Sequence, residues 1–472
     1  MANSVLNGLT LAKGASAADQ TDTIIAPATG SGESGISVVR LSGPRAAESL
    51  RRWFRPRRKA CRWSSHRLYF GEIKHPRTGD VIDQGLAVLM RAPRSYTGED
   101  VAELHCHGSR AVVGDLLELA REDGVRLAYP GEFTMRAVMN GRMDLAQAES
   151  VLEIITARSE RALRQANAGI AGAFSQAVET IRSELVRAQA FLEASIDFSE
   201  DEIPFEDVHT PIEQSLTALT SLRQRAQSGL LYRSGVRVAL VGRPNVGKSS
   251  LLNALLRANR AIVTDIPGTT RDTIEESALI QGIPMVLVDT AGIRSTEDEV
   301  ERIGVERARS ALQEAVIRII VLDRSTPLTE DDLALVRTET NDRAIVALNK
   351  SDLPDRASSS LHAIATGAVV PISARTLQGL DELERALAER AIELAGAGND
   401  GEVVLAIPRH IELLVRAESS LKRTLAAIDG NEPVDVAAAE LSIAARALGE
   451  ITGVNATEDL FDTIFSRFCL GK

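Results

Sequence analysis

The chain has 472 residues, a length that predicts about three domains. With 44% hydrophobic and 25% charged residues it falls in the soluble globular range and not in the disordered one. Aromatics at 3% argue against a platform of stacked rings for single-stranded nucleic acid. A net charge of −11 makes the chain a poor general binder of polyanions, so nucleic acid requires a local basic patch or a basic partner.

Three cysteines (Cys61, Cys106 and Cys469) are an odd set for a disulfide framework and predict a reducing compartment. No apolar run approaches the roughly 18 residues of a membrane span. Residues 1–22 carry Lys13, Asp19 and Asp22 but no arginine and no continuous apolar segment. They predict a loose extension, not a targeting peptide, on a cytoplasmic protein.

From Thr23 to about Asn140, short apolar runs such as Ile36–Leu41 and Leu86–Met90 alternate with glycine and proline and predict a small α+β domain over 23–140. This region holds a basic run of Arg51, Arg52, Arg55, Arg57, Arg58, Lys59 and Arg62. It also holds His105-Cys106-His107 beside Glu103. That quartet invites a zinc reading, but consecutive residues rarely close one tetrahedral site, and a structural loop is the plainer reading. From Gly131 to Ile203 there is no proline, and Leu145, Ala148, Leu152 and Ile155 recur at helical spacing, as do Ile181, Leu185, Ala188 and Leu192. A second helical region runs from Arg409 to Phe468, with an alanine-rich stretch over Val436–Leu448. Between them, Val236 to Leu394 alternates strand and helix. Ser228-Gly229 and Ser234-Gly235 precede it and the glycine-rich 395–401 follows. The predicted architecture is an α/β domain, 235–395, inserted into a helical domain formed by 141–234 and 396–472.

The apolar strand Val236–Val241 runs into Gly242-Arg243-Pro244-Asn245-Val246-Gly247-Lys248-Ser249, followed by a helical stretch from Ser250 to Leu256. Strand, glycine loop and helix in that order form a phosphate cradle, with backbone N–H groups and the helix dipole facing the anion. Asn245, Val246, Gly247, Lys248, Ser249 and Ser250 are its predicted contacts. Lys248 is assigned to the β/γ-phosphates and Ser249 to Mg²⁺. Asp289-Thr290-Ala291-Gly292 follows a second strand, with Asp289 assigned to the Mg²⁺ shell and the Gly292 N–H to the γ-phosphate. Asn349-Lys350-Ser351-Asp352 follows a third. The Asp352 carboxylate can accept guanine's N1–H and 2-amino group, a donor pair that adenine lacks. Ser373-Ala374-Arg375 falls where a loop would close the base pocket. Together these predict a GTPase.

Thr264-Asp265-Ile266-Pro267-Gly268-Thr269-Thr270-Arg271-Asp272 reads as a switch segment in which either threonine can cap Mg²⁺, Thr270 being preferred. Ile293 stands where a water-orienting glutamine is usual, so catalysis needs another acid, a partner's arginine or an ion. Glu297, Asp298, Glu299 and Glu301 make the following stretch acidic. Cys469, in the closing Cys-Leu-Gly-Lys, fits prenylation badly. It reads either as an inert thiol or as a functional one on a cationic tail that favours the thiolate.

The P-loop and switch sequences, the inserted G domain and the terminal Cys469-Leu470-Gly471-Lys472 together resemble the MnmE (TrmE) family of tRNA uridine-modification GTPases. So do Thr23-Ile24-Ile25-Ala26, Tyr96-Thr97-Gly98-Glu99-Asp100, Pro130-Gly131-Glu132-Phe133, Leu145-Ala146-Gln147-Ala148-Glu149 and Ile196-Asp197-Phe198. The resemblance covers the chain from about Thr23 onward. It implies a homodimer whose G domains pair when K⁺ is bound, with Asn245, Thr264, Ile266 and Thr269 around the ion and Glu301 orienting the attacking water. It implies an N-terminal domain that binds 5-formyl- or methylene-tetrahydrofolate through Arg40, Glu103, Arg142 and Lys472, and a Cys469 needed for modification. It implies an FAD-dependent, MnmG-type partner in a heterotetramer, and tRNA as substrate. The family pattern Gly-His-Gly-Gly is replaced here by Cys106-His107-Gly108-Ser109. On this reading the basic run at 51–62 is either a solvated loop or a tRNA-phosphate contact. The rival readings are a ribosome-assembly GTPase, which needs an RNA-binding domain that the sequence does not display, and a signalling switch, which leaves the terminal cysteine without purpose.

Overall fold

The computed structural model describes residues 22–30, 32–57, 63–157, 159–197, 207–259, 275–289, 317–339, 343–357, 368–394 and 406–472. The chain forms two compact units, one of residues up to Leu152 with Gly449–Lys472, the other of Glu153–Leu448.

The first unit begins with β1 (Ile24–Pro27), β2 (Ser34–Ser42), α1 (Ala46–Trp53), β3 (Phe54–Pro56), β4 (Tyr69–Lys74), β5 (Val81–Met90) and β6 (Val101–Gly108). It continues through α2 (Arg110–Glu122), β7 (Arg126–Leu127), α3 (Glu132–Met139) and α4 (Leu145–Thr156). Seven strands pair in the order β3-β4-β5-β6-β2-β1-β7. Successive side chains of a strand point to opposite faces. Val39 and Leu41 of β2 and Leu104 of β6 therefore enter one core with Leu50 and Trp53 of α1 and Leu116 and Leu119 of α2. The residues between them go to the other face, where β2 and β6 set Arg40 directly opposite Glu103. Behind α3 lies an ion network in which Arg136, 2% exposed, donates to Asp22 Oδ1 at 2.6 Å and Glu132 Oε1 at 2.9 Å. Burial alone would raise the Asp22 pKa, but Arg126 and Arg136 outweigh it and hold the carboxyl below its ordinary range.

The second unit holds α5 (Glu160–Ile170), α6 (Ala173–Asp197), α7 (His209–Ser234), β8 (Val236–Val241), α8 (Lys248–Asn259), β9 (Glu275–Ile280), β10 (Ile283–Asp289) and β11 (Ile317–Asp323). Then come α9 (Glu330–Glu339), β12 (Ala344–Asn349), β13 (Val369–Pro371), α10 (Leu380–Leu394), α11 (Pro408–Asp429) and most of α12 (Val434–Thr452). Leu185 and Leu192 of α6, Leu219 and Leu222 of α7, and Leu414 and Leu421 of α11 are buried, as their helical spacing predicts. The helix α7 runs through Ser228-Gly229. Ser228 is buried inside α7 with its hydroxyl donating to Gln224 O at 3.0 Å, and the chain turns only at Gly235, φ 74°. The glycine-rich 395–401 lies outside the described residues.

Six strands pair as β13-β12-β11-β8-β10-β9, all parallel except the β9 edge. Their apolar runs are buried against α8 and α10. The parallel arrangement brings the carboxyl ends of β8, β10, β11, β12 and β13 to one edge, where the loops of open α/β sheets bind ligands.

The last element, α13 (Glu458–Phe465), is capped by Thr457, whose hydroxyl accepts from Leu460 N–H at 3.4 Å. Phe465 and Phe468 bury against Leu145, Ala148 and Val151. Through this apolar contact Gly449–Lys472 falls in the first compact unit. No described helix is long and apolar enough to cross a membrane.

Candidate functional site

In the second unit the loop after β8 closes on itself. Lys248, 7% exposed, donates from Nζ to Gly242 O at 2.8 Å and Arg243 O at 3.0 Å. Gly242 and Gly247 are required here. A Cβ on Gly247, at φ 99°, would overlap the Asn349 amide, and one on Gly242 would overlap Val321 O. Ser249 and Ser250 lie exposed in the first turn of α8, directly after the loop. Asn245 takes a left-handed conformation, φ 66°.

The loop after β12 is stapled to this cradle. Asn349 is buried, donates from Nδ2 to Val246 O at 2.8 Å and accepts from Ala374 N–H at 3.0 Å. One side chain therefore ties the phosphate loop to Ser373–Arg375. Lys350, φ 67°, donates to Asn245 O at 3.2 Å and to Asp323 Oδ2 at 2.6 Å. Asp323, at the end of β11, would be pushed up by its burial, yet bonds from Lys350 and Ser325 bring its pKa below the ordinary value. The Ser373 hydroxyl accepts from Thr376 N–H at 3.2 Å and donates to Asp352 Oδ1 at 2.7 Å. That bond holds the Asp352 carboxyl acidic. Asp352 is exposed, along with Arg375, while Ser351 is half-buried. The cost of leaving Asp352 unpaired therefore arises only when a base covers it.

Asp289 ends β10 at the same sheet edge. Thr264, Ile266, Thr269, Thr270, Thr290, Ala291, Gly292 and Glu301 lie outside the described residues, as do Cys61, Arg58, Lys59 and Arg62 of the N-terminal region.

In the first unit Arg40 is the junction of a second site. Its Nε donates to Glu103 Oε1 at 2.8 Å, its Nη1 to Gly471 O at 3.4 Å, and its guanidinium lies 5.5 Å from the Tyr96 ring centroid. Glu103 also bonds His105 Nε2 at 3.3 Å. The His105 bond first, then Arg40, pulls its carboxyl below the ordinary range against the effect of burial. Lys472 is half-buried nearby, its ammonium pKa lowered by burial and by Arg40. Arg142 is exposed beside Gly98.

The terminal segment is held by backbone contacts. Cys469 O accepts from Gly131 N–H at 3.5 Å, and Gly471, φ 86°, sits against Pro27 and Ala28. The Cys469 thiol is exposed. Strand alternation disperses the suspected metal trio. Cys106 turns inward, with Sγ donating to Ser37 O at 3.6 Å and burial raising its pKa to about 11. His107 pairs with Asp83 at 2.8 Å, and His105 with Glu103. Of the basic run, Arg52 pairs with Asp123 at 3.1 Å, while Arg51, Arg55 and Arg57 are exposed.

The sequence analysis gave Asp323 no role, and it named His105, Tyr96 and Gly131 without placing them beside Glu103, Arg40 and the terminal segment. Asp323 was accessible, since an acid ending a parallel strand beside two nucleotide loops is suspect. The others depend on packing between segments far apart in the chain.

A family profile described as the MnmE helical domain matches residues 145–469, and one described as the N-terminus of the GTP-binding protein TrmE matches 23–142. The chain is 46% identical over 461 residues to the tRNA modification GTPase MnmE of Roseiflexus sp. (strain RS-1), covering 96% of this chain and 99% of that one. It is 46% identical over 453 residues to that of Chloroflexus aurantiacus, covering 96% and 100%. Among solved structures it is similar to the G domain of the T. maritima FeoB iron transporter, with 29% identity over 33% of this chain and 98% of that one, at a TM-score of 0.25. With both family profiles matched and nearly the full length of its relatives covered, the chain belongs to the MnmE family of tRNA modification GTPases, and its fold joins a TrmE N-terminal domain, an MnmE helical domain and a P-loop G domain.

Proposed function

We propose that this GTPase couples GTP hydrolysis to addition of an aminomethyl-type group at C5 of a wobble uridine, using a one-carbon tetrahydrofolate held by its N-terminal domain. The observation that carries the reading is Arg40, which joins Glu103 and the carbonyl of Gly471 in one place. The side chains suit a folate. Glu103 can accept the pterin's N–H donors, and Arg40, Arg142 and Lys472 supply cations for the glutamate carboxylates. When bound, the folate supplies the transferred carbon. An FAD-containing partner of the MnmG type performs the redox step in a heterotetramer, and glycine or ammonia supplies the amine. Cys469, exposed two residues from Gly471, is the protein's reactive group for modification.

In the G domain, Ser249 and Thr270 hold Mg²⁺, and Glu301 orients water. K⁺ is held by Asn245, Thr264, Ile266 and Thr269. A fixed cation there takes the place of an arginine finger, consistent with Ile293 in the usual glutamine position. The working assembly is a cytoplasmic homodimer. Hydrolysis is expected to run at least several-fold faster in K⁺ than in Na⁺ at equal ionic strength, measured as phosphate release. Equal rates would remove the potassium site.

The test of the whole reading is mass spectrometry of tRNA nucleosides from cells lacking the chain. Loss of aminomethyl-type wobble uridines, restored by the wild-type chain, is expected. An unchanged nucleoside profile in cells with no redundant enzyme would leave a GTPase with another client.

A further inference from the structure

The loop that carries Asp352 is bracketed by a single arginine. Arg324 follows β11 directly, and its N–H donates to Asn349 O at 2.9 Å while its carbonyl accepts from Arg356 N–H at 3.0 Å. These two bonds fix the two ends of the segment 349–356, and any residue at 324 could supply them. The side chain adds what another residue could not. Nη2 pairs with Asp355 Oδ2 at 3.1 Å, and Nη1 donates to Ser351 O at 3.4 Å. The four contacts fall at positions 349, 351, 355 and 356, on both sides of Asp352, and the Arg324 side chain is only 26% exposed. A planar fork with fixed donor directions can hold two points of a loop at once, which a lysine ammonium on a flexible stem cannot.

The need for such a brace is visible in Asp352 itself. Its side chain is exposed, and Ser373 holds it from one side at 2.7 Å. A carboxylate that must meet a ring N–H and an exocyclic amino group in one plane gains discrimination only if its backbone is fixed before the base arrives. We infer that Arg324 is a positioning residue for guanine recognition, holding the segment from Ser351 to Asp355 so that Asp352 meets the purine N1–H and 2-amino group. The inference rests on the proposed role of Asp352 and adds the residue that makes that role selective. Arg324 itself does not touch the nucleotide.

The experiment compares binding of GDP and IDP to the full chain by calorimetry with Mg²⁺ present. The two ligands differ by the 2-amino group, so contacts to the phosphates cancel in the ratio of dissociation constants. Asp352→Asn comes first and is expected to abolish the preference for GDP. If it does not, the reading of Asp352 fails and the inference is overturned with it. Given that loss, Arg324→Ala is expected to compress the ratio about tenfold, the scale of one charge-assisted hydrogen bond, with IDP, which keeps the N1–H, weakened by a smaller factor than GDP. Asp355→Ala approaches the same brace from its partner and is expected to act in the same direction. The double variant should be no worse than Arg324→Ala, because the two act as one unit. Arg324→Lys is expected to recover part of the ratio. If Asp352→Asn behaves as expected and Arg324→Ala leaves the ratio intact, or weakens both nucleotides equally, the positioning role is overturned while the Asp352 reading stands.

Discussion

Asp352→Asn is expected to weaken GTP binding by at least about two orders of magnitude and to make XTP the preferred nucleotide. The derivation begins at Ser373. Its hydroxyl accepts from Thr376 N–H at 3.2 Å, so its own proton is directed at Asp352 Oδ1, 2.7 Å away. In the variant that proton selects the amide orientation, with the carbonyl oxygen at the Oδ1 position and the amino group at the other. The side chain then presents one acceptor and one donor. Xanthine, with an N1–H and a C2 oxygen, complements that pair. Guanine, with two donors, leaves a donor facing a donor. Each charge-assisted hydrogen bond contributes about 1.5–3 kcal/mol, and the two together exceed the ~2.8 kcal/mol that corresponds to a hundredfold change. Hydrolysis measured with GTP and XTP side by side reads the switch directly. Since Asp352 is exposed without nucleotide, the variant should unfold at the same temperature as the wild type. Retained GTP preference would remove Asp352 from base recognition.

What the sequence made legible in this region, and what it did not, follows from the range of the interactions. The phosphate loop was legible because its determinants are contiguous: an apolar strand, two glycines and a helix start within Val236–Leu256. The loops at Asp289 and Asn349 were placed by the same strand-then-loop pattern, and a parallel sheet brings such loops to one edge. The brace from Arg324 to Ser351 and Asp355 spans up to 31 positions and depends on the side-by-side pairing of β11 with β12, which no local pattern encodes. In the first unit, alternation along β2 places Arg40 on the face opposite the core, but its partner Glu103 is set by the β2–β6 register across 63 residues. Ser228-Gly229 is the opposite case. Its local composition signals a break, yet α7 continues because Leu219, Leu222 and Ala226 are buried on one face and Ser228 bonds back to Gln224. The C-terminal stretch was readable as helix but not as to which unit it joins, since Phe465 and Phe468 find their apolar partners on α4.

Gly471→Ala is expected to abolish most tRNA modification while GTP hydrolysis stays within about twofold of wild type. Gly471 is buried at φ 86°, where a side chain is strained whatever the space around it. Here there is no space either. A Cβ would overlap Pro27 O and lie 2.8 Å from Ala28 Cα, and both are backbone atoms of β1 or the residue after it, unable to swing aside. The tail upstream is anchored independently, since Phe468 is buried with Phe465. The strain is therefore relieved by lifting Cys469-Leu470-Gly471-Lys472 from its seat, with loss of the bonds from Gly131 N–H to Cys469 O and from Arg40 to Gly471 O. The thiol is exposed before and after the change, so thiol reactivity alone would not register the difference, whereas digestion by carboxypeptidase should accelerate as the terminal residues come free. If Cys469 acts in modification, displacing it should be about as damaging as Cys469→Ser, because chemistry that depends on a fixed approach loses orders of magnitude when a reacting group moves by an ångström or more. Two measurements separate the possible failures. Full modification by Cys469→Ser would show that the thiol is dispensable. Full modification by Gly471→Ala, with Cys469→Ser inactive, would show that the thiol acts from a mobile tail and that the seat formed by Pro27, Gly131 and Arg40 serves stability alone.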